Sequence, residues 1–199
     1  MPQSDRAGPA PFAVAAPGVL GTRARRPLDA LLTAASLVRE VTAGALVRTD
    51  GRTQPLPGVP GDPLLAPGSP VLAVACARIA AGQVYSSFLW PFGGWHAPRG
   101  HARVTVLSAP ADAPGRGGGA VLLSPGPVVH GLTPRELEVL GLVVDGCSNH
   151  EIARVLVVAP RTVAAHVEHL LVKLGAATRT LAAVRAEREG LYVPAVPQP

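Results

Sequence analysis

The feature that most constrains this chain is a run of helix start and stop signals in its last third. Thr133-Pro134-Arg135-Glu136 opens it. A threonine three residues before a glutamate makes a capping box, and proline suits the first helical position. Leu137, Leu140 and Val144 follow as an apolar stripe, and Gly146 can end the helix in a left-handed turn. Ser148-Asn149-His150-Glu151 repeats the box ahead of Ile152, Ala153 and Leu156. Pro160 starts a third helix, with Val163, Val167, Leu170, Leu171 and Leu174 on one face and Gly175 at its end. Thr178 caps a fourth, with Leu181, Ala182 and Val184 expected inward and Gly190 beyond it. Short helices with such tight turns predict a compact trihelical core plus one. The second and third, joined by Val157 to Ala159, have the spacing of a helix-turn-helix.

The remaining two thirds read differently. Residues 1–26 are rich in Pro, Gly, Ala and Arg without periodicity and are expected to be a disordered tail. From Pro27 the spacing of Leu28, Leu31, Leu32, Ala35 and Val38 predicts a helix. Ala45 to Arg48, followed by Thr49-Asp50-Gly51-Arg52, predicts a strand entering a tight turn. Residues 55–70 are a Pro/Gly loop, Pro70 to Ala81 a short helix, and Val84 to Leu89 a strand. Two further strands, Ala102 to Ser108 and Ala120 to Ser124, are joined by the glycine-rich Gly115 to Gly119. The expected fold is thus a small α+β domain over 27–125, GAF- or PAS-like. A linker over 126–132, an all-α helix-turn-helix domain over 133–193 and a tail over 194–199 follow it.

Composition narrows the chemistry. Of 18 basic residues, a single one is lysine, at position 173. A phosphate-binding P-loop needs a lysine after its glycines, and none lies upstream. A receiver domain needs one beside its phosphorylated aspartate, and Schiff-base chemistry would fall to Lys173 alone. Two cysteines, Cys76 and Cys147, offer no disulfide framework or zinc-binding pair and suit a reducing cytoplasm. The apolar stretch from Ala10 to Leu20 is broken by Pro11 and Pro17 and precedes its arginines. That order is wrong for a secretion signal. The expectation is a cytoplasmic protein without a membrane partner.

The net charge of +5 hints at a polyanionic partner, but its distribution does not place that partner. From Thr133 onward seven basic residues face seven acidic ones. The whole excess lies before it, Arg23, Arg25 and Arg26 included, and supplies nonspecific attraction that salt screens.

The segment LTPRELEVLGLVVDGCSNHEIARVLVVAPRTVAAHVEHLLVKLGAATR resembles the DNA-binding domain of LuxR-type (LuxR/NarL-like) transcriptional regulators. The likeness rests on Leu132-Thr133, Arg135-Glu136, Val139-Leu140, Gly146, Ser148-Asn149 and Glu151-Ile152-Ala153. It continues through Leu156, Thr162-Val163, His166, Lys173-Leu174-Gly175 and Arg179. The resemblance implies a recognition helix over 160–174 in the major groove of double-stranded DNA. The DNA-facing residues it implies are Asn149, Arg161, Thr162, Ala164, Ala165, His166, Glu168, His169 and Lys173. Lys173 would hold a phosphate. A homodimer through Thr180, Leu181, Val184 and Arg188 is implied too, with RNA polymerase as a further partner and an effector at the amino-terminal domain. Some positions depart from the family. Ala164 and Glu168 stand where lysine is frequent, and Ala159 replaces a capping serine, worth about 1 kcal/mol of helix stability. Modest intrinsic affinity, dependent on dimerisation, is therefore expected. A second reading makes the helix-turn-helix a protein-interaction module that modulates another regulator.

No enzyme is expected, since no catalytic constellation is visible, and no cofactor. His166 and His169 have a metal-compatible i, i+3 spacing but lack further ligands. His96 and His101 flank Arg99 without an acid or nucleophile at defined spacing. Residues 85–95 hold Tyr85, Phe88, Trp90, Phe92 and Trp95. The core of a small sheet is favoured over a ligand pocket for them.

Overall fold

A computed structural model describes residues 22–93, 99–109 and 118–196, with side chains from Asp29 onward. Trp95, His96, Gly115 and the side chains of Arg23, Arg25 and Arg26 lie outside the described residues. Helix α1 spans Thr22–Ser36. It begins five residues before Pro27, inside the segment expected to be tail, because the run Thr-Arg-Ala-Arg-Arg propagates a helix well. Strands β1 (Ala43–Arg48) and β2 (Thr53–Pro55) form the expected hairpin. Its turn is closed by Gly51 N–H to Arg48 O at 2.9 Å, with Gly51 at φ +80°. The Asp50 carboxylate accepts from the Arg52 amide at 3.0 Å, and that bond holds its pKa below the ordinary value.

A 3-10 turn (Pro63–Leu65) leads into α2 (Pro70–Ala80), capped by Ser69. Strands β3 (Tyr85–Pro91), β4 (His101–Ala109) and β5 (Gly118–Pro125) complete an antiparallel sheet of order β2-β1-β5-β4-β3. The register fixes its two faces. Opposed pairs such as Leu46↔Ala120 and Thr105↔Leu122 share one face, and Ala45↔Val121, Val106↔Val121 and Phe88↔Val104 the other. Both are buried over β5, which explains why Ala120 to Leu123 is uniformly apolar instead of alternating. On the first face α1 packs Leu32, Ala35 and Val38 over Leu46, Leu107, Ala120 and Leu122. On the second, Val71, Val74, Ala75 and Ile79 of α2 cover Val47, Phe88, Val104 and Val121. Phe88 and Trp90 are core, as favoured, while Tyr85 and Phe92 are exposed.

The carboxy-terminal half is α3 (Pro134–Val144), α4 (Asn149–Leu156), α5 (Pro160–Leu174) and α6 (Arg179–Glu189). Leu132 is buried, and the apolar cluster beneath α2 runs on without a break through Leu137, Leu140, Ile152, Val163 and Leu170. The last residues of the expected helix-turn-helix domain are drawn in: Leu191, Tyr192 and Val193 are at most 3% exposed. After α6 the chain passes along β3, the sheet's edge strand. There Leu89 N–H donates to Tyr192 O at 2.8 Å, and Val193 N–H donates to Leu137 O at 3.2 Å. The edge is thereby covered by the helical half, which satisfies backbone groups that would otherwise face water. Arg78 of α2 meets Asp145 beyond α3 at 3.3 Å, and burial nonetheless pushes the Asp145 carboxyl above its ordinary 3.8.

Candidate nucleic-acid interface

Both capping boxes form as the sequence predicts. Glu136 N–H donates to Thr133 Oγ1 at 3.2 Å while Thr133 N–H donates to Glu136 Oε2 at 2.7 Å. Ser148 and Glu151 make the same exchange at 3.3 and 2.6 Å. Helix α4 ends at Val157 with φ +54°, a left-handed conformation that a β-branched residue rarely adopts. This position was not legible, since left-handed caps are usually glycine or asparagine. The turn bends the chain by 108° between α4 and α5, within the range of about 90–120° for a helix-turn-helix. Ala159 provides no side-chain cap to α5, as its identity predicts.

The burial of Val163 and Leu170 sets the rotation of α5. Its exposed face carries Arg161, Thr162, Ala165, Glu168 and His169. Val172, 82% exposed, continues that stripe one turn on and was missed by sequence reasoning, although it follows Glu168 at helical spacing. Ala164 and His166 are half-buried at the flank. Asn149 sits in the first turn of α4, its Oδ1 accepting from Arg179 Nη1 at 2.8 Å.

Lys173 is engaged within the domain. Its ammonium lies 2.7 and 3.0 Å from the two carboxylate oxygens of Glu136, a residue 3% exposed. It therefore ties α5 to the start of α3, with its side chain still one-third exposed. Burial raises the Glu136 pKa, but Lys173 and Thr133 outweigh it and hold the carboxyl below its ordinary 4.5.

Three other cations of this half, Arg135, Arg179 and Arg185, are also engaged internally. Arg135 donates to Glu138 at 2.7 Å and to Leu156 O, at the end of α4, at 2.8 Å. Arg185 donates to Leu174 O and Gly175 O at 2.6 and 3.0 Å, satisfying the end of α5. Arg179 also donates to Cys147 O. Among the described residues, Arg161 is the one cation on the exposed face of α5 without a hydrogen bond or ion pair.

On α6, Ala182 and Ala186 are buried, whereas Leu181 and Val184 are 37% and 39% exposed. The inward placement expected for Leu181 and Val184 is thus overturned, because the small alanines set the packed face. Both sit with Thr180 and Arg188 on the outer side. Among the described residues no three His, Cys, Asp or Glu side chains gather as metal ligands, and no single helix is long and apolar enough to cross a membrane.

The family model for bacterial regulatory proteins, luxR family, matches residues 130–186. Among curated relatives, the putative HTH-type transcriptional regulator Mb0914c of Mycobacterium bovis is 48% identical over 59 residues, 30% of this chain and 7% of that one. The transcriptional regulatory protein LiaR of Bacillus subtilis is 45% identical over 60 residues, 30% of this chain and 28% of its own. The HTH-type transcriptional regulator MalT of Yersinia pestis is 47% identical over 57 residues, 29% and 6%. The chain thus spans under a third of the length of LiaR and under a tenth of the other two. Among solved structures, VqmA bound to DPO aligns over 81% of this chain and 91% of its own, at 18% identity and a TM-score of 0.38. That score is too low to carry an argument. The family match, the paired capping boxes and the 108° bend agree on one stretch: residues 130–186 are a LuxR-family helix-turn-helix domain.

Proposed function

We propose that the chain is a sequence-specific DNA-binding transcriptional regulator that acts in the cytoplasm, with α5 as the major-groove helix. The observation that carries this is the exposed stripe Arg161, Thr162, Ala165, Glu168, His169 and Val172 on the second helix of the helix-turn-helix. Arg161 and Thr162 lie in the first turn, where unsatisfied N–H groups and the helix dipole favour phosphate. Ala165 offers a methyl to thymine and Glu168 an acceptor to cytosine. Two copies joined through Leu181 and Val184 of α6 would place two such helices on paired half-sites. RNA polymerase is a further partner on this reading.

Residues 27–125 form the controlling domain. In support, the sheet and the helical half share one apolar cluster, and residues 190–193 lie on the sheet's edge strand. A change in the sheet therefore reaches α6 through packed contacts. Gel retardation with the region upstream of the chain's own gene tests the DNA reading, and no retardation by the dimer at low salt sinks it. The scarcity of cations on α5 favours the second reading, in which the domain contacts another regulator instead of DNA. Under that reading Glu168→Lys leaves DNA affinity unchanged; under the first it raises nonspecific binding.

A further inference from the structure

A cleft of about 640 Å³ opens on the α1-covered face of the sheet, where α1 ends. Small-molecule sites typically enclose about 300–1,000 Å³. One wall is apolar, from Leu37 and Val38 after α1, Leu107 of β4, Pro125 at the end of β5 and Pro127 beyond it. The floor is polar. Thr105 and Ser124, 2% and 7% exposed, stand on neighbouring strands, and their hydroxyls make no hydrogen bond among the described residues. Neither oxygen is sealed away, because among the described residues the one enclosed and unpaired side-chain atom is Gln83 Oε1. Two nearly buried hydroxyls therefore open onto the cleft with no partner among the described residues.

Arg103 of β4 completes the floor. Its Nη1 donates to Glu189 O, in the last turn of α6, at 2.7 Å, and to Ser87 Oγ at 3.2 Å. Its Nε and Nη2 donate to nothing among the described residues. That free edge of the guanidinium has the fork geometry that takes a carboxylate through two parallel bonds. Arg39 and Glu40 stand at the rim, Glu40 in a left-handed conformation at φ +56°. The opposite charges of Arg39 and Glu40 offset each other, leaving Arg103 as the one uncompensated cation of the cleft to match a single carboxylate, and the apolar wall favours a hydrocarbon body.

We propose that this cleft binds a small organic monocarboxylate, its carboxyl on the Nε–Nη2 edge of Arg103 and on the hydroxyls of Thr105 and Ser124. Such a ligand fixes Arg103 in the rotamer that holds Glu189 O. Occupancy therefore tightens the docking of residues 190–193 on β3, and docking in turn raises ligand affinity, by thermodynamic linkage. This deepens the control reading above and rests on it for its consequence at DNA, though not for the binding itself.

The test uses the full chain and a panel of probes: straight-chain carboxylates from butyrate to decanoate, benzoate and cinnamate, each against its primary amide. A carboxylate that binds saturably, raises Tm and slows hydrogen exchange at the Leu89 and Val193 amides is the expected result, with the matched amide inert. The double variant Thr105→Val, Ser124→Ala keeps the Arg103 latch. It should weaken the ligand about tenfold while leaving the stability of the free protein unchanged. Arg103→Gln should abolish binding. No response to any carboxylate, an equal response to the amides, or wild-type affinity in the double variant overturns the site. Saturable binding that leaves DNA affinity unchanged upholds the site and refutes control by residues 27–125. An Arg103→Gln effect on DNA affinity with no carboxylate bound does the reverse.

Discussion

Replacing Gly141 by alanine sets two physical effects against each other. The residue lies inside α3, where alanine is favoured over glycine by about 1 kcal/mol, so propensity alone predicts stabilisation. Its surroundings predict the opposite. A Cβ at Gly141 would overlap the carbonyl group of Val193, which is backbone and cannot rotate aside. Residues 191–193 would have to move off α3, straining the Val193–Leu137 and Leu89–Tyr192 hydrogen bonds. Two such bonds are worth about 2 kcal/mol together. Leu191, Tyr192 and Val193 are almost fully buried, and re-exposing a third of that burial costs about 2 kcal/mol more at 1.5–3 kcal/mol per side chain. After the helix gain, G141A should destabilise by about 3 kcal/mol. Urea denaturation followed by the fluorescence of buried Trp90 measures it. Gly61→Ala, whose Cβ meets nothing within 4 Å, serves as control and should shift stability by less than about 0.5 kcal/mol. A G141A protein as stable as wild type would show that residues 191–193 do not rest on α3 in solution.

Lys173→Gln leaves the nearly buried Glu136 without its ammonium and should cost about 1–3 kcal/mol, allowing for Lys173's one-third exposure. The slope of DNA affinity against salt should stay unchanged, whereas loss of a phosphate contact would lower it by about one unit. Because the folded pKa of Glu136 is depressed, the stability it contributes is present above the ordinary 4.5 and is lost as pH falls through the folded value. Acid titration of wild type against Glu136→Gln, followed by Tm, reads that window. Arg161→Ala should flatten the salt dependence of retardation by about one unit per protomer. Leu181→Asp with Val184→Asp should shift sedimentation toward monomer and weaken retardation by the full operator far more than by a half-site.

Local signals wrote much of this fold into the sequence. Thr133, Ser148 and Thr178 cap where their side chains and spacing predict, and Asp50-Gly51 turns the hairpin. The outer faces of helices were harder to read. Leu181 and Val184 look like core by hydrophobicity, yet Ala182 and Ala186 pack more closely and turn the larger residues outward. Lys173 looks like a phosphate ligand by position, but the carboxylate that claims it is 37 residues away in sequence. The docking of 190–193 on β3 left no local trace beyond Gly190 and Gly141, whose missing side chains admit close neighbours. Such long-range contacts lie outside any window in which periodicity can be counted.

The use of its cations constrains how such a domain would hold DNA. Each arginine that satisfies helix-end carbonyls, as Arg135 and Arg185 do, stiffens the helix-turn-helix but withdraws one charge from the phosphate backbone. With Arg161 alone on the outer face of α5, a single protomer has little electrostatic hold, so on the proposed reading pairing must supply what charge does not. The pairing surface of α6 and its docked end belong to the same short helix. Leu181 and Val184 stand free on its outer side, while Glu189 is held by Arg103 and Gly190 lies against Ser87. A rigid helix of 11 residues cannot change its end contacts without moving its outer face. On the proposed reading, whatever strengthens or loosens the Arg103 contact shifts the outer side of α6, and DNA affinity should respond most where both half-sites are present.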